Sequence, residues 1–157
     1  MIQSAPITIT VPLPPQHRMK SRNGKKGRLV RPLSPNARCH WRVVSKAKKA
    51  YRNSVSARIL EAICRGRAHR AGWSRVTVKY DYYHETSNLM DYDNIIGSMK
   101  YALDCFVKVG VLADDDHVIP LTPGRHINPG DPRVEITIMP IDGAEHQMNL
   151  GSAGTTH

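Results

Sequence analysis

Apolar and polar residues alternate most regularly from Trp73 to Tyr83, where Val76, Val78, Tyr80 and Tyr82 interleave with Thr77, Lys79, Asp81 and Tyr83. A period of two puts each set on its own face of a strand. The stretch is therefore expected to be a long strand with one buried side. Ile7-Thr8-Ile9-Thr10-Val11 repeats the pattern on β-branched residues. It stops at Pro12-Leu13-Pro14-Pro15, because proline has no N–H to give to a central ladder. Val134, Ile136 and Ile138 alternate with Glu135, Thr137 and Met139, which predicts a last strand over 133–140. Val118-Ile119-Pro120-Leu121 is a short apolar piece, and Arg125 and His126 follow in what reads as a loop between Gly124 and Pro129.

Two segments have a helical period instead. From about Ser45 to Arg65, Ala47, Tyr51, Val55, Ile59, Leu60 and Ile63 form one apolar stripe, with Lys46, Lys48, Lys49, Arg52 and Arg58 elsewhere. A second helix is expected from Asp93 or Asn94, either of which suits an N-cap. It carries Ile95, Ile96, Met99, Ala102, Leu103, Phe106 and Val109 to a C-cap at Gly110. About 15 residues make it about 22 Å long. The expected fold class is α+β: a small mixed sheet packed with two main helices. One domain over residues 1–141 is expected, with a basic loop at about 16–40 and a loose polar tail over 142–157.

Composition narrows the function classes. No apolar run approaches the roughly 18 residues a membrane span needs, and the N-terminus has no signal-peptide pattern, so a cytoplasmic protein is expected. Three cysteines, Cys39, Cys64 and Cys105, are too few and too odd for a disulfide framework. Charge is more telling. Residues 1–75 hold 18 Lys/Arg and one acid, Glu61, for +17, whereas residues 76–157 hold 5 Lys/Arg and 12 acids, for −7. A basic half beside an acidic centre suits a phosphate-binding surface flanking a metal site. Candidate phosphate contacts are Arg18, Lys20, Arg22, Lys25, Lys26, Arg28 and Arg31 in the loop, and Lys46, Lys48, Lys49 and Arg52 on the first helix. Asn23-Gly24 suggests a hairpin tip. His40-Trp41 offers either a stacking platform or an anchor for the helix that follows, and the core role is the expectation.

The acids gather around Asp91-Tyr92-Asp93-Asn94 and Asp114-Asp115-Asp116, on either side of the second helix. On an extended segment residues i and i+2 point the same way, so Asp91 and Asp93 would face one site if 88–93 is extended. Carboxylate oxygens with water completing an octahedron are what magnesium prefers. A return path after Gly110 is expected to bring Asp115 beside them. The plainer alternatives are a helix cap and solvated acidic loops. A zinc site drawn from Cys39, His40, Cys64, Cys105, His69, His84, His117 or His126 lacks compact ligand-pair spacing.

Together these residues resemble the RusA family of Holliday junction resolvases, small bacterial and phage endonucleases. The likeness spans roughly residues 5–140. It rests on the strand and proline turn at Ile7–Pro15, on Ala50-Tyr51-Arg52, and on Asp91-Tyr92-Asp93-Asn94. Lys100, Ala102, Asp104, Lys108, Gly110, Asp114-Asp115 and Val118 continue it, and the final strand completes it. The resemblance implies a homodimer that binds branched DNA and resolves four-way junctions by paired symmetric cuts. It implies magnesium, with manganese as a substitute, held by Asp91, Asp93 and Asp115, with Lys100 as the essential lysine and the metal sites lying across the dimer. It also implies a cytoplasmic setting in a bacterial cell, with a prophage or phage origin compatible. The family places its lysine four residues past the second motif aspartate, where this chain has Gly97. Taking Lys100 instead requires three extra residues around Ile95–Gly97. The alternative function is a catalytically weak or inactive branched-DNA-binding protein of the same fold.

Overall fold

The period-two stretches become the sheet. The computed structural model describes residues 5–141, so the expected tail over 142–157 lies outside the described residues. In chain order the elements are β1 (Ile7–Val11), β2 (His17–Arg18), β3 (Leu29–Val30), α1 (Trp41–Cys64), β4 (Val76–His84) and α2 (Tyr92–Ser98). Then come α3 (Lys100–Val109), β5 (Val118–Pro120), β6 (Gly124–Ile127) and β7 (Arg133–Pro140). The main sheet runs β1-β7-β4-β5, and β6 also pairs with β4. β7 is antiparallel to β1 and β4, with Ile9 opposite Ile136 and Tyr80 opposite Ile136 on its other edge. β5 and β6 both lie parallel to β4, one after the other: Val76 faces Val118, and Tyr83 faces His126. The sheet is thus mixed, and the class is α+β as expected. The segment holding Arg125 and His126 is not a loop, because the second half of β4 offers it an open edge.

The alternation decides which face is dry. Val76, Val78, Tyr80, Tyr82 and His84 of β4 are buried, as are Val134, Ile136 and Ile138 of β7 and Ile7, Ile9 and Val11 of β1. Ala47, Tyr51, Val55, Ile59 and Ala62 of α1 close over that face with Ala102, Cys105 and Phe106 of α3. Leu60, expected in the stripe, is 41% exposed. Lys48 and Arg52 flank the Tyr101 ring at 4.9 and 5.4 Å, and Arg52 pairs with Asp104 at 2.8 Å, so α1 and α3 are joined outside the core as well. Among the described residues no helix is long and apolar enough to cross a membrane.

The expected second helix is two helices. α2 ends at Ser98, α3 starts at Lys100, and Met99 between them caps both. Met99 is fully buried, and its sulfur lies 3.9 Å from the Tyr51 hydroxyl, which donates to the Pro12 carbonyl at 3.1 Å, so the joint packs against α1. The far end of α3 is as expected: Gly110 is left-handed (φ 93°), and its N–H bonds Phe106 O at 3.2 Å. Gly72 N and Trp73 N then bond Gly110 O and Val111 O, which ties that end to the start of β4.

Candidate nucleic-acid and metal site

β4 positions the acid pair at one end of the sheet. His84, its last residue, is 3% exposed. Its Nε2 accepts from Met90 N at 3.0 Å, which leaves the proton on Nδ1, 3.2 Å from the His126 carbonyl it donates to. Burial lowers the His84 pKa, and the nearby Arg31 and Arg125 charges lower it further against the backbone bonds that raise it. A neutral imidazole thus pins the backbone one residue before Asp91.

Asp91 is the N-cap residue of α2 in extended conformation, with φ −65° and ψ 153°. Asp93 is in the first helical turn. The pair therefore straddles a helix start instead of following a strand, and the cap is neither Asp93 nor Asn94. Asn94 is occupied otherwise: its Oδ1 accepts from Ser34 Oγ at 3.0 Å and from Asn36 Nδ2 at 3.3 Å. Asp91 forms no side-chain cap bond. Among the described residues, neither Asp91 nor Asp93 has a side-chain hydrogen bond or ion pair, and both are exposed. Lys100 is likewise exposed at the first position of α3.

Two side chains at this end were not legible in the sequence. Arg125, on β6, lies over the Tyr92 ring at 4.2 Å, with Nη2 3.3 Å from the Tyr92 hydroxyl. Its Nη1 is 3.5 Å from the Met90 carbonyl. It brings a cation beside the residue that separates the two aspartates. Only the parallel pairing of β6 with β4 puts it there. His84 is the other, and its position as the last inward residue of the alternating strand is the signal that could have found it.

Asp115 is elsewhere. Val118 is opposite Val76, and Ala113 N bonds Trp73 O at 2.9 Å, so the Asp114–Asp116 turn lies at the start of β4. Met90 and Asp91 lie at its end. Eight steps of about 3.3 Å separate the two ends, roughly 26 Å. The expected return of Asp115 to Asp91 and Asp93 within one chain does not occur, because α2 and α3 together run the length of the sheet before the chain turns. Among the described residues no three His, Cys, Asp or Glu side chains converge closely enough to hold a metal ion.

The basic loop is a hairpin. His17 pairs with Val30 and Arg18 with Leu29, and Gly24 at the tip has φ 66°. Arg18 donates to the Gly27 carbonyl at 2.9 Å. Lys20, Arg22, Lys25, Lys26 and Arg28 are exposed, as are Lys46, Lys49 and Arg52 on α1, while Arg31 and Lys48 are half-buried. Trp41 does not anchor the core. It is 66% exposed, whereas Trp73 is 4% exposed. Its ring lies 5.7 Å from that of His40 and 5.3 Å from the Arg42 guanidinium carbon.

The carboxylate pair fits magnesium by its chemistry: hard oxygen donors, exposed and otherwise unengaged, of the number that ion commonly takes from a protein alongside water and phosphate. No protein-family model matches the chain, and no curated protein matches it.

Proposed function

We propose that the chain is a magnesium-dependent, structure-selective endonuclease that resolves four-way DNA junctions by paired symmetric phosphodiester cleavage, acting as a homodimer. The observation that carries this reading is the unengaged pair Asp91 and Asp93, with the Arg125 guanidinium beside it, at the sheet end that also carries the basic hairpin.

Asp91 and Asp93 hold the metal in this reading. Magnesium bound there would supply Lewis-acid charge neutralisation and a water of lowered pKa. Arg125 and Lys100 face charge that develops on the phosphate, and the hairpin and α1 cations set the strand's position without reading bases. Asp115 serves the site of a second copy, because its own Asp91 lies a strand's length away. A two-fold axis makes that exchange reciprocal and yields two equal sites, which suits paired cuts.

The test is cleavage of an immobile four-way junction beside a matched linear duplex, with magnesium and with chelator. The expected result is paired nicks near the crossover on the branched substrate only, abolished by chelator. Asp93→Asn should lower the rate roughly a hundredfold or more while junction binding persists. One observation favours the alternative of a non-cleaving junction-binding protein: Lys100 follows a helix joint, seven residues past Asp93. Junction binding without nicks under every metal condition would select it.

A further inference from the structure

The hairpin, the 34–38 segment and the turn before Met90 enclose a groove of about 540 Å³. That is within the range of roughly 300–1,000 Å³ typical of small-ligand sites, with room for an unstacked nucleotide. Its lining has two chemistries. Arg28, Arg31 and Arg38 supply cations, and no carboxylate lines it. Met19 and Leu29 supply apolar surface, and both are unusually exposed, at 39% and 46%. Trp41 lies outside the lining, three residues beyond Arg38, and its ring stays 66% exposed with the Arg42 guanidinium over it.

Duplex DNA presents phosphates but keeps its base faces stacked inside. It would use the arginines and leave Met19, Leu29 and Trp41 against water. An unpaired strand offers both charged backbone and bare π-faces, and a cationic track with aromatic platforms is the general solution for binding it. The groove is also attached to the acid pair. Ser34 and Asn36 both donate to Asn94, the residue after Asp93, and Asn88 of the lining lies three residues before Asp91.

We infer that this groove binds unpaired DNA, with a base stacked on Trp41 and phosphates on Arg28 and Arg38, so that the chain selects sites where strands have come apart. The inference rests on the nuclease reading for its purpose but not for its test. A branched substrate is preferred because stacking is interrupted at its crossover, so the base pairs that flank it open at a lower cost than those within linear duplex.

The experiment uses the full chain in chelating buffer, so cleavage plays no part. A fluorescein-labelled thymidine dodecamer is titrated with protein and competed by unlabelled dodecamer or by mixed-sequence duplex. Tryptophan emission is followed in parallel. Single strand is expected to compete about tenfold better than duplex at matched length and salt, and to quench the emission. Trp41→Ala should lose about tenfold in single-strand affinity and the quench, with duplex binding unchanged. Arg28→Ala combined with Arg38→Ala should lower the salt slope of single-strand binding by about 1.4. Equal competition by duplex, or a Trp41→Ala chain that keeps the preference, overturns the inference. A chain with the preference that nicks no junction in magnesium overturns only the nuclease reading. Junction cleavage without the preference overturns only the groove.

Discussion

A buried histidine is the residue on which the acid pair's placement turns. His84 gives up no hydrogen bond to water, because Met90 N–H and the His126 carbonyl take both ring nitrogens. Protonation would replace the acceptor at Nε2 with a second donor aimed at an N–H. With its folded pKa below the ordinary value of about 6.5, the folded chain binds fewer protons than the unfolded one as pH falls through that value. Stability is therefore full above about 6.5 and declines as the solution is acidified toward the folded pKa. Denaturant unfolding at a series of pH values between about 7 and 5 should show this decline, and His84→Gln should flatten it. Asp81 titrates in a lower window and does not confuse the reading. Its carboxyl is raised by burial but lowered more by His126 and Lys79, so its contribution persists until strongly acid pH.

At the scale of the element, periodicity revealed β1, β4, β7 and the body of α1, because each buries one face against the same core. It missed the break between α2 and α3, since Ile95, Met99, Ala102 and Phe106 keep an inward register through it. It missed β6 because a four-residue strand that exposes Arg125, His126 and Ile127 has no apolar alternation to read. The acid pair and the +17 half were plain in the sequence. The distance between Asp91 and Asp115 was not, because it depends on where the chain turns after Gly110. Gly97 shows why the break matters. A Cβ there would run into the Pro35 ring, so α2 lies against the 34–38 segment as only glycine allows, and a lysine at this position would not fit. Gly97→Ala should destabilise by ~1–3 kcal/mol despite alanine's better helix propensity, seen as a Tm lowered by several degrees. Adding Pro35→Ala should recover much of that loss, because the obstructing ring atoms are gone.

For the whole molecule, the decisive fact is that the two acidic clusters occupy opposite ends of β4. If each metal site draws Asp91 and Asp93 from one copy and Asp115 from the other, an Asp93→Asn chain and an Asp115→Asn chain should each fail alone. Their mixed dimer holds one intact site and one doubly altered site. Mixing the two purified variants should therefore restore nicking of a four-way junction, with single nicks in place of paired ones. Resolution on a denaturing gel of a junction labelled on opposing strands checks this. Two inactive variants that do not recover after subunit exchange would rule out a site shared between copies, and an Asp115→Asn chain that nicks unmixed would mean that Asp115 has no part in the metal site.

A nuclease assembled in that way is harmless when alone. At dilutions where copies rarely meet, the fraction able to cut falls faster than the amount of chain present, so a threshold of expression separates an inert polypeptide from an active one. The length of a single strand, by holding two halves of a reagent apart, would serve as the safety catch.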